Sequence, residues 1–548
     1  MLPRKMPVRS TFRLRRGASQ LAILTFAVGG TLWTPRQATA QSIADQVGLT
    51  ALIQRVGAGN QPTGAGIAVG QVEGDGDGAP GIQAYPDGTA FPGKTITQMS
   101  GALGVSGHAT FVGQNLYGLN GIAPGITSIF AYEANHWAFA GYLNAYAGPQ
   151  PAAPAGGLRV FNNSWIGDAG TFDNNNNINR RADYAADQHN VLMVNGVNNG
   201  FVPDPTQRPL MAYMYGGLSV GLANGQHTWG AVPAGHDAFG QSRPEIVAPH
   251  DATSYAAGIV SAAAALMYQT ALTGTGLSSN LNARTSEVIK AVMLAGANHG
   301  AVGTPNAHAW TNNPVASGPN RGVTSTPLDP IYGADLVNVD RSHRILTGLE
   351  QNGSATVPAT PNATAAGWDF ASLASGGTLN YRFRIYQQVS SVSVLATWHR
   401  TVAANFASFT LANVDLTLKR IDAGGSAVTL VGDPGLPYFS SGNVVSQSAV
   451  DNIEHVFVRD LVPGDYVIEL RRNNDGVAGS REVALAWIMP VTLHPGDVDG
   501  NGIVDVNDLL AVISAWGPCP IPSNCPADLN HNGMVEVNDL LQVITNWG

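Results

Sequence analysis

Cysteine is nearly absent from this chain: Cys519 and Cys525 are the only two, and both lie in the last thirty positions. A thiol nucleophile or a cysteine-held zinc site is thereby excluded from the main body. In an exported protein a pair this close, in Cys519-Pro520-Ile521-Pro522-Ser523-Asn524-Cys525, reads as a disulfide closing a tight loop. Charge is scarce as well, at 12% of residues against about 25% in an average globular domain. The balance is acidic, with 28 Lys and Arg against 37 Asp and Glu. No Lys/Arg stripe occurs beyond the first sixteen residues, which argues against a nucleic-acid partner. Long apolar runs are missing too. The best, residues 21–33, falls short of the roughly 20 residues a spanning helix needs.

What is present begins with a targeting pattern. Arg4, Lys5, Arg9, Arg13, Arg15 and Arg16 precede the apolar run, and Ala38-Thr39-Ala40 follows it. Residues 1–40 read as a secretory signal with an A-x-A cleavage site, and Arg15-Arg16 leaves a twin-arginine route open beside the ordinary one. Their removal takes away seven basic and no acidic residues, moving the net charge from −9 to −16. The expected mature protein is secreted or extracellular, or attached at a cell surface, with no transmembrane segment. Its acidity suits calcium.

At 548 residues and 44% hydrophobic, the chain has room for three or four domains with real cores. Its 65 glycines imply a loop-rich surface. Between about 66 and 348, strand-like runs such as Ile67-Ala68-Val69, Val160-Phe161 and Val191-Leu192-Met193-Val194 alternate with helical ones at about 180–189, 254–270 and 286–295. That alternation predicts an α/β domain with a buried parallel sheet over 41–350. A Pro/Thr/Ala-rich linker, 351–366, leads to short alternating runs over 367–490, the mark of an all-β sandwich. Asp173 with Asn174 to Asn177 reads as a solvated run, with a calcium loop as the alternative.

From Gly496 onward the chain repeats itself. Asp497-Val498-Asp499-Gly500-Asn501-Gly502-Ile503 with Asp508 recurs thirty-one residues later as Asp528-Leu529-Asn530-His531-Asn532-Gly533-Met534 with Asp539, each copy running into Leu-Leu-x-Val-Ile. A hard cation needs six or more oxygens, and positions 1, 3, 5, 7 and 12 of such a loop turn inward when position 6 is glycine. The expected calcium ligands are Asp497, Asp499, Asn501, Asp508, Asp528, Asn530, Asn532 and Asp539, with the carbonyls of Ile503 and Met534; a metal-free Asn/Asp turn is the alternative. The repeat, over 496–548, resembles the dockerin module, a small α-helical domain. That resemblance implies a cohesin-like or cell-surface docking partner. Position 12 is Asp where Glu is usual, and one helix follows each loop.

Four further segments carry chemistry. Ser106-Gly107-His108-Ala109-Thr110-Phe111-Val112 is followed by Gly121-Ile122-Ala123-Pro124-Gly125. Next come Asn162-Asn163-Ser164-Trp165-Ile166-Gly167 and Val197-Asn198-Asn199-Gly200. Last is Pro244-Glu245-Ile246-Val247-Ala248-Pro249, with Ala252-Thr253-Ser254-Tyr255-Ala256-Ala257-Gly258 heading an Ala-rich helix. A serine at a helix N-terminus sits near free N–H groups, which suits a nucleophile and equally an ordinary cap. In this order the segments resemble the subtilisin-like serine proteases (subtilases), whose patterns include H-x-T-x-V, N-x-S-x-x-G, G-N-x-G and G-T-S-x-A-A-P.

The resemblance implies Ser254 as nucleophile, His108 as general base, and Asn198 as a donor to the oxyanion. Asn163, Ser164, Trp165 and Gly167 would belong to the substrate-binding wall, Trp165 implying an apolar or restricted pocket. Glu73 ends the first strand where subtilases carry Asp, with Asp75 and Asp77 close behind as alternatives. Val197, Ala252 and Gly258 depart from the family's Gly, Gly and Pro. His250 is a rival base, while His136, His189, His227 and His236 read as ordinary histidines. The sandwich resembles jelly-roll or pre-peptidase-like domains. The whole reads as an exported serine endopeptidase acting on protein or peptide substrates, with a calcium-dependent docking module; the alternative is a catalytically impaired subtilase fold serving as a binding or scaffold component.

Overall fold

The computed structural model describes residues 41–75, 81–145, 148–200, 208–300, 308–385, 388–432, 438–489, 496–498, 504–519, 525, 527–530 and 532–547. The proposed signal, residues 1–40, lies outside them, as do Asp77, Asp499, Asn501 and Ile503. In chain order the first layer contains β1 (Ala68–Glu73), β2 (Thr95–Gln98), α1 (Gly107–Leu116), β3 (Ser128–Glu133), β4 (Leu158–Asn163), α2 (Phe172–His189), β5 (Leu192–Gly196), β6 (Leu218–Leu222), β7 (Ile246–Ala248), α3 (Thr253–Thr273), α4 (Ser286–Ala295) and α5 (Val339–Thr347). Its seven strands are all parallel, in the order β7-β6-β5-β4-β1-β3-β2. β1, β5 and β6 are buried along their whole length, as expected of a sheet covered on both faces. The chain leaves β1 for β2 and β3 on one side and returns to β4 on the other, so the ends of β1 and β4 flank a topological switch point.

α3 is the central helix. It is long and apolar enough to cross a membrane by length and composition, yet 83% of its apolar window is buried in this fold, which makes it a core helix. α2 departs from expectation. The solvated run at Asp173–Asn177 is helical instead, starting at an N-cap from Thr171. Asn175, Asn176 and Asn179 are buried, and each amide Nδ2 donates across the fold: that of Asn175 to Asp168, that of Asn176 to Gly235 O and that of Asn179 to Pro209 O.

The second layer is antiparallel. It comprises β8 (Ala366–Leu373), β9 (Thr378–Ile385), β10 (Val389–Thr397), β11 (Val414–Ile421), β12 (Ile453–Leu461), β13 (Gly464–Arg472) and β14 (Arg481–Ile488). One sheet runs β8-β14-β10-β12, and the other contains β11-β13-β9. β14 shows how the layers join: Val483, Leu485 and Trp487 face the sandwich core, while Ala484, Ala486 and Ile488 join the core of the α/β layer. A strand buried on both faces reads as a continuous apolar run, as Val483–Ile488 does. Residues 351–366 run along the sandwich, with Ser354 bonded to Asn380 and Asn362 to Arg382. The tail carries α6 (Val506–Ser514) and α7 (Val537–Thr545), and Cys519 and Cys525 form a disulfide.

Much of the scarce charge is spent between the layers. Arg400, fully buried, meets Asp183 Oδ2 at 2.6 Å and Asp237 Oδ2 at 2.7 Å, and its guanidinium lies between the rings of Tyr215 and Phe409. Arg180 holds both oxygens of Asp237, Nε on Oδ2 at 2.6 Å and the second guanidinium nitrogen on Oδ1 at 2.7 Å. Removing one partner of such a buried pair leaves an uncompensated charge. Arg400→Ala is expected to destabilise the fold by about 3–5 kcal/mol, read from chemical denaturation; a loss under about 1 kcal/mol would show that the network carries little.

Candidate active site

Glu73 closes β1 at the switch point and is completely buried. One carboxylate oxygen, Oε2, lies 2.9 Å from His108 Nδ1 at the head of α1, and the other accepts from Gln71 Nε2 at 2.8 Å. Gln71 is itself fixed. Its Nε2 also donates to Ala109 O at 2.7 Å, and its Oε1 accepts from Tyr117 Oη at 2.5 Å, so the amide cannot flip without losing these bonds. Burial lifts the Glu73 carboxyl above its ordinary range, while the bonds from His108 and Gln71 pull it back. Asp75, by contrast, is exposed and accepts from Gln83 N at 2.9 Å. Among the described residues, Glu73 is the acid that reaches His108.

Ser254 occupies the first turn of α3. Two close approaches set its place. A side chain on Gly196, at the end of β5, would stand 3.3 Å from Thr253 O and 3.6 Å from Ser254 N; one on Gly258 would stand 3.2 Å from Val112 O of α1. The departure at Gly258 therefore admits the helix that carries His108 close to the helix that carries Ser254. Tyr255 packs on the imidazole of His108, ring centres 5.7 Å apart, and on Phe111 at 5.3 Å.

The helix start has an unusual cap. Ala252 holds the N-cap position and offers no side-chain bond; Asn199, from the loop after β5, supplies it by accepting from Thr253 N at 2.9 Å. Thr253 Oγ1 donates to Val197 O at 2.6 Å, tying the same two segments. Sequence reasoning missed Asn199, although an alanine at a helix start is a signal that a cap comes from elsewhere. Ser164 was expected in the substrate wall; its hydroxyl also donates to Ser254 O at 2.8 Å and accepts from Asn162 Nδ2, whose own oxygen accepts from Ser261 of α3.

Ser164, Trp165 and Ile166 line a cavity of about 100 Å³ with Gly196, Val197, Asn199, Thr253 and Ser254. Asn163 is buried beneath it, donating to Asn195 Oδ1 at 2.8 Å and accepting from Trp165 Nε1 at 3.1 Å. Gly167 pairs with Leu210. Asn198 stands next to the cavity in sequence; its Oδ1 accepts from Arg208 N at 3.2 Å and its carbonyl from Thr228. His250 meets its neighbour Asp251 at 2.5 Å. Buried His227 bridges Leu222 N and Ile331 O, and His136 bonds Ser100.

No family model and no curated relative matches the chain. Among solved structures, a serine protease of Aeromonas sobria is 12% identical with a TM-score of 0.33, the match covering 78% of this chain and 88% of that one. A lanthipeptide protease is 13% identical with a TM-score of 0.37, covering 56% and 93%. The PatG macrocyclase, solved in complex with peptide, is 15% identical with a TM-score of 0.33, covering 54% and 95%. With TM-scores below 0.5, these likenesses bring neither substrate nor activity to this chain.

The tail holds a second candidate site. Asp528 and Asp539 are buried, and both gather backbone N–H groups: Asp528 takes Asn532 N and Gly533 N, and Asp539 takes Leu529 N, Asn530 N and Glu536 N. Asn530 and Asn532 turn their side-chain oxygens onto the same loop, and Gly533 has a φ of 86°. In the first loop, Asp497 and Asp508 are buried likewise, Asp508 accepting from Val498 N and Asp505 N. Residues 496–548 contain seven acids and no Lys or Arg. Asp528, Asn530, Asn532 and Asp539 bring carboxylate and amide oxygens to one loop, a donor set of the kind that fits a hard divalent ion.

The borrowed cap yields a direct expectation. Asn199→Ala should cost about 1 kcal/mol of stability, measured by urea denaturation; an unchanged midpoint would mean that water or a shift of Ala252 replaces the bond.

Proposed function

We propose that the chain is a serine-type endopeptidase that forms an acyl-enzyme on Ser254. The observation that carries the reading is the buried Glu73 carboxylate on His108 Nδ1, with Ser254 on the helix turn packed against that histidine. Glu73 holds the imidazole with Nδ1 protonated, which turns Nε2 into the base that takes the Ser254 proton and later returns it to the leaving amine. The Ser254 N–H and the Asn198 side-chain amide stabilise the oxyanion. The cavity under Trp165, Ile166 and Val197 suits a small apolar side chain before the scissile bond. The chain is exported through residues 1–40.

The C-terminal repeat is a calcium-loaded docking module in this proposal. Asp528, Asn530, Asn532, Met534 O and Asp539 hold one ion; Asp497 and Asp508, with Asp499, Asn501 and Ile503 O from outside the described residues, hold the other. Calcium supplies the positive charge that the module's own residues lack. Two half-exposed apolar stripes support a protein partner: Val506, Leu510, Ile513 and Trp516, then Val537, Leu541, Ile544 and Trp547 at the same thirty-one-residue offset.

Fluorophosphonate labelling of the mature protein tests the active site. An adduct on Ser254, absent from Ser254→Ala, is expected; no adduct from folded protein would favour the binding-component reading. Labelling should fall on the acid side as the Glu73 carboxylate takes up a proton. In Gln71→Leu that fall should move to higher pH, because a donor to the carboxylate is lost and its pKa rises. Chelation should raise the protease sensitivity of residues 496–548, and unchanged sensitivity would sink the calcium assignment.

A further inference from the structure

The two repeats of the tail differ in one covalent feature. Cys519 and Cys525, with a sequence separation of 6, form a disulfide just ahead of the second loop. The positions thirty-one residues earlier are Ile488 and His494, so the first loop has no such bond.

Both ends of the disulfide are tied to the second loop. Cys519 N donates to Gly533 O at 3.0 Å, and Cys525 O accepts from Asp528 N at 2.9 Å. Just before Cys519, Gly517 and Pro518 pair antiparallel with Val535 and Met534. Cys519 Sγ lies 3.7 Å from Asp528 Oδ2, and the Cys519 side chain belongs to the small buried core of the tail with Val512, Val535 and Val543.

These ties fall at the positions where a cation loop is most demanding. Asp528 is its first residue, Gly533 makes the sharp turn with a φ of 86°, and the Met534 carbonyl comes next. Asp528 in turn accepts from Asn532 N at 3.1 Å and Gly533 N at 2.7 Å. The cross-link thus joins the segment that holds the start of the loop to the segment that holds its turn. Without it those two segments separate at no covalent cost, and the ion must order them as it binds. On the chain-entropy account, closing a loop this short is worth about tenfold or more in an equilibrium constant.

We infer that the Cys519–Cys525 disulfide preorganises the second loop for its divalent cation, and that the first loop binds without such help. The inference rests on the calcium reading of the tail. Calcium calorimetry on the full mature chain tests it, with Asp508→Ala silencing the first loop and Asp539→Ala the second. In the Asp508→Ala chain, replacing both cysteines by serine should weaken calcium about tenfold, with the ion still bound at saturation because every ligand is retained. In the Asp539→Ala chain the same replacement should leave the affinity within about twofold. If the serine variant does not fold, dithiothreitol on the Asp508→Ala chain makes the same comparison. Two electrons and two protons pass from its thiols to the S–S bond, and the lost affinity should return on reoxidation. Absence of calcium binding to the disulfide-bonded chain would overturn the calcium reading and this inference together. Calcium binding that is unchanged when the bond is lost, that weakens equally in both loops, or that cannot be restored at saturation would overturn the inference alone.

Discussion

The first turn of α3 must lie almost in contact with the ends of β4 and β5, and the geometry of the candidate site depends on that approach. Gly196 admits it by having no side chain, Thr253 and Asn199 lock it by hydrogen bonds, and Ser164 takes the carbonyl of Ser254 itself. A helix held at its N-terminus by neighbouring strands cannot slide along its axis without breaking buried bonds. The apolar length of α3 behind this turn makes such a slide costlier still, because nearly every residue along it is packed.

Against that fixed serine, the histidine is held by a chain of buried polar groups rather than by packing alone. Tyr117, Gln71 and Glu73 form a line in which each group has its partner, which is the condition under which a buried polar network adds rigidity. Glu73 is held on both carboxylate oxygens, Oε2 by His108 and Oε1 by Gln71. Burial disfavours the ionised carboxylate, and the donors around it compensate.

Charge is distributed by the same logic elsewhere. A chain with only 12% charged residues places Arg400, Asp183, Arg243, Glu245 and Lys290 inside: Arg400 ties the sandwich to α2 through Asp183, and Arg243 and Lys290 meet Glu245 within the α/β layer. In the tail, Asp528 and Asp539 are inside and gather backbone N–H groups.

Sequence by itself was sufficient for the alternation of strands and helices, the position of α3, the pairing of Cys519 with Cys525 and the duplicated tail loops, because each is a local pattern set by periodicity or short spacing. It also brought Ser254, His108 and Glu73 forward as candidates through short motifs, with Asp75 as a rival acid. Tertiary structure alone decided that Glu73 meets His108, since contact between residues 35 apart depends on how β1 and α1 pack. It alone placed the cap on Asn199, turned the Asp173–Asn177 run into part of a half-buried helix, and split β14 between two cores. Those outcomes rest on partners distant in the chain: an asparagine is solvated or buried according to who satisfies its amide, and a strand's second face is wet or dry according to what packs on it.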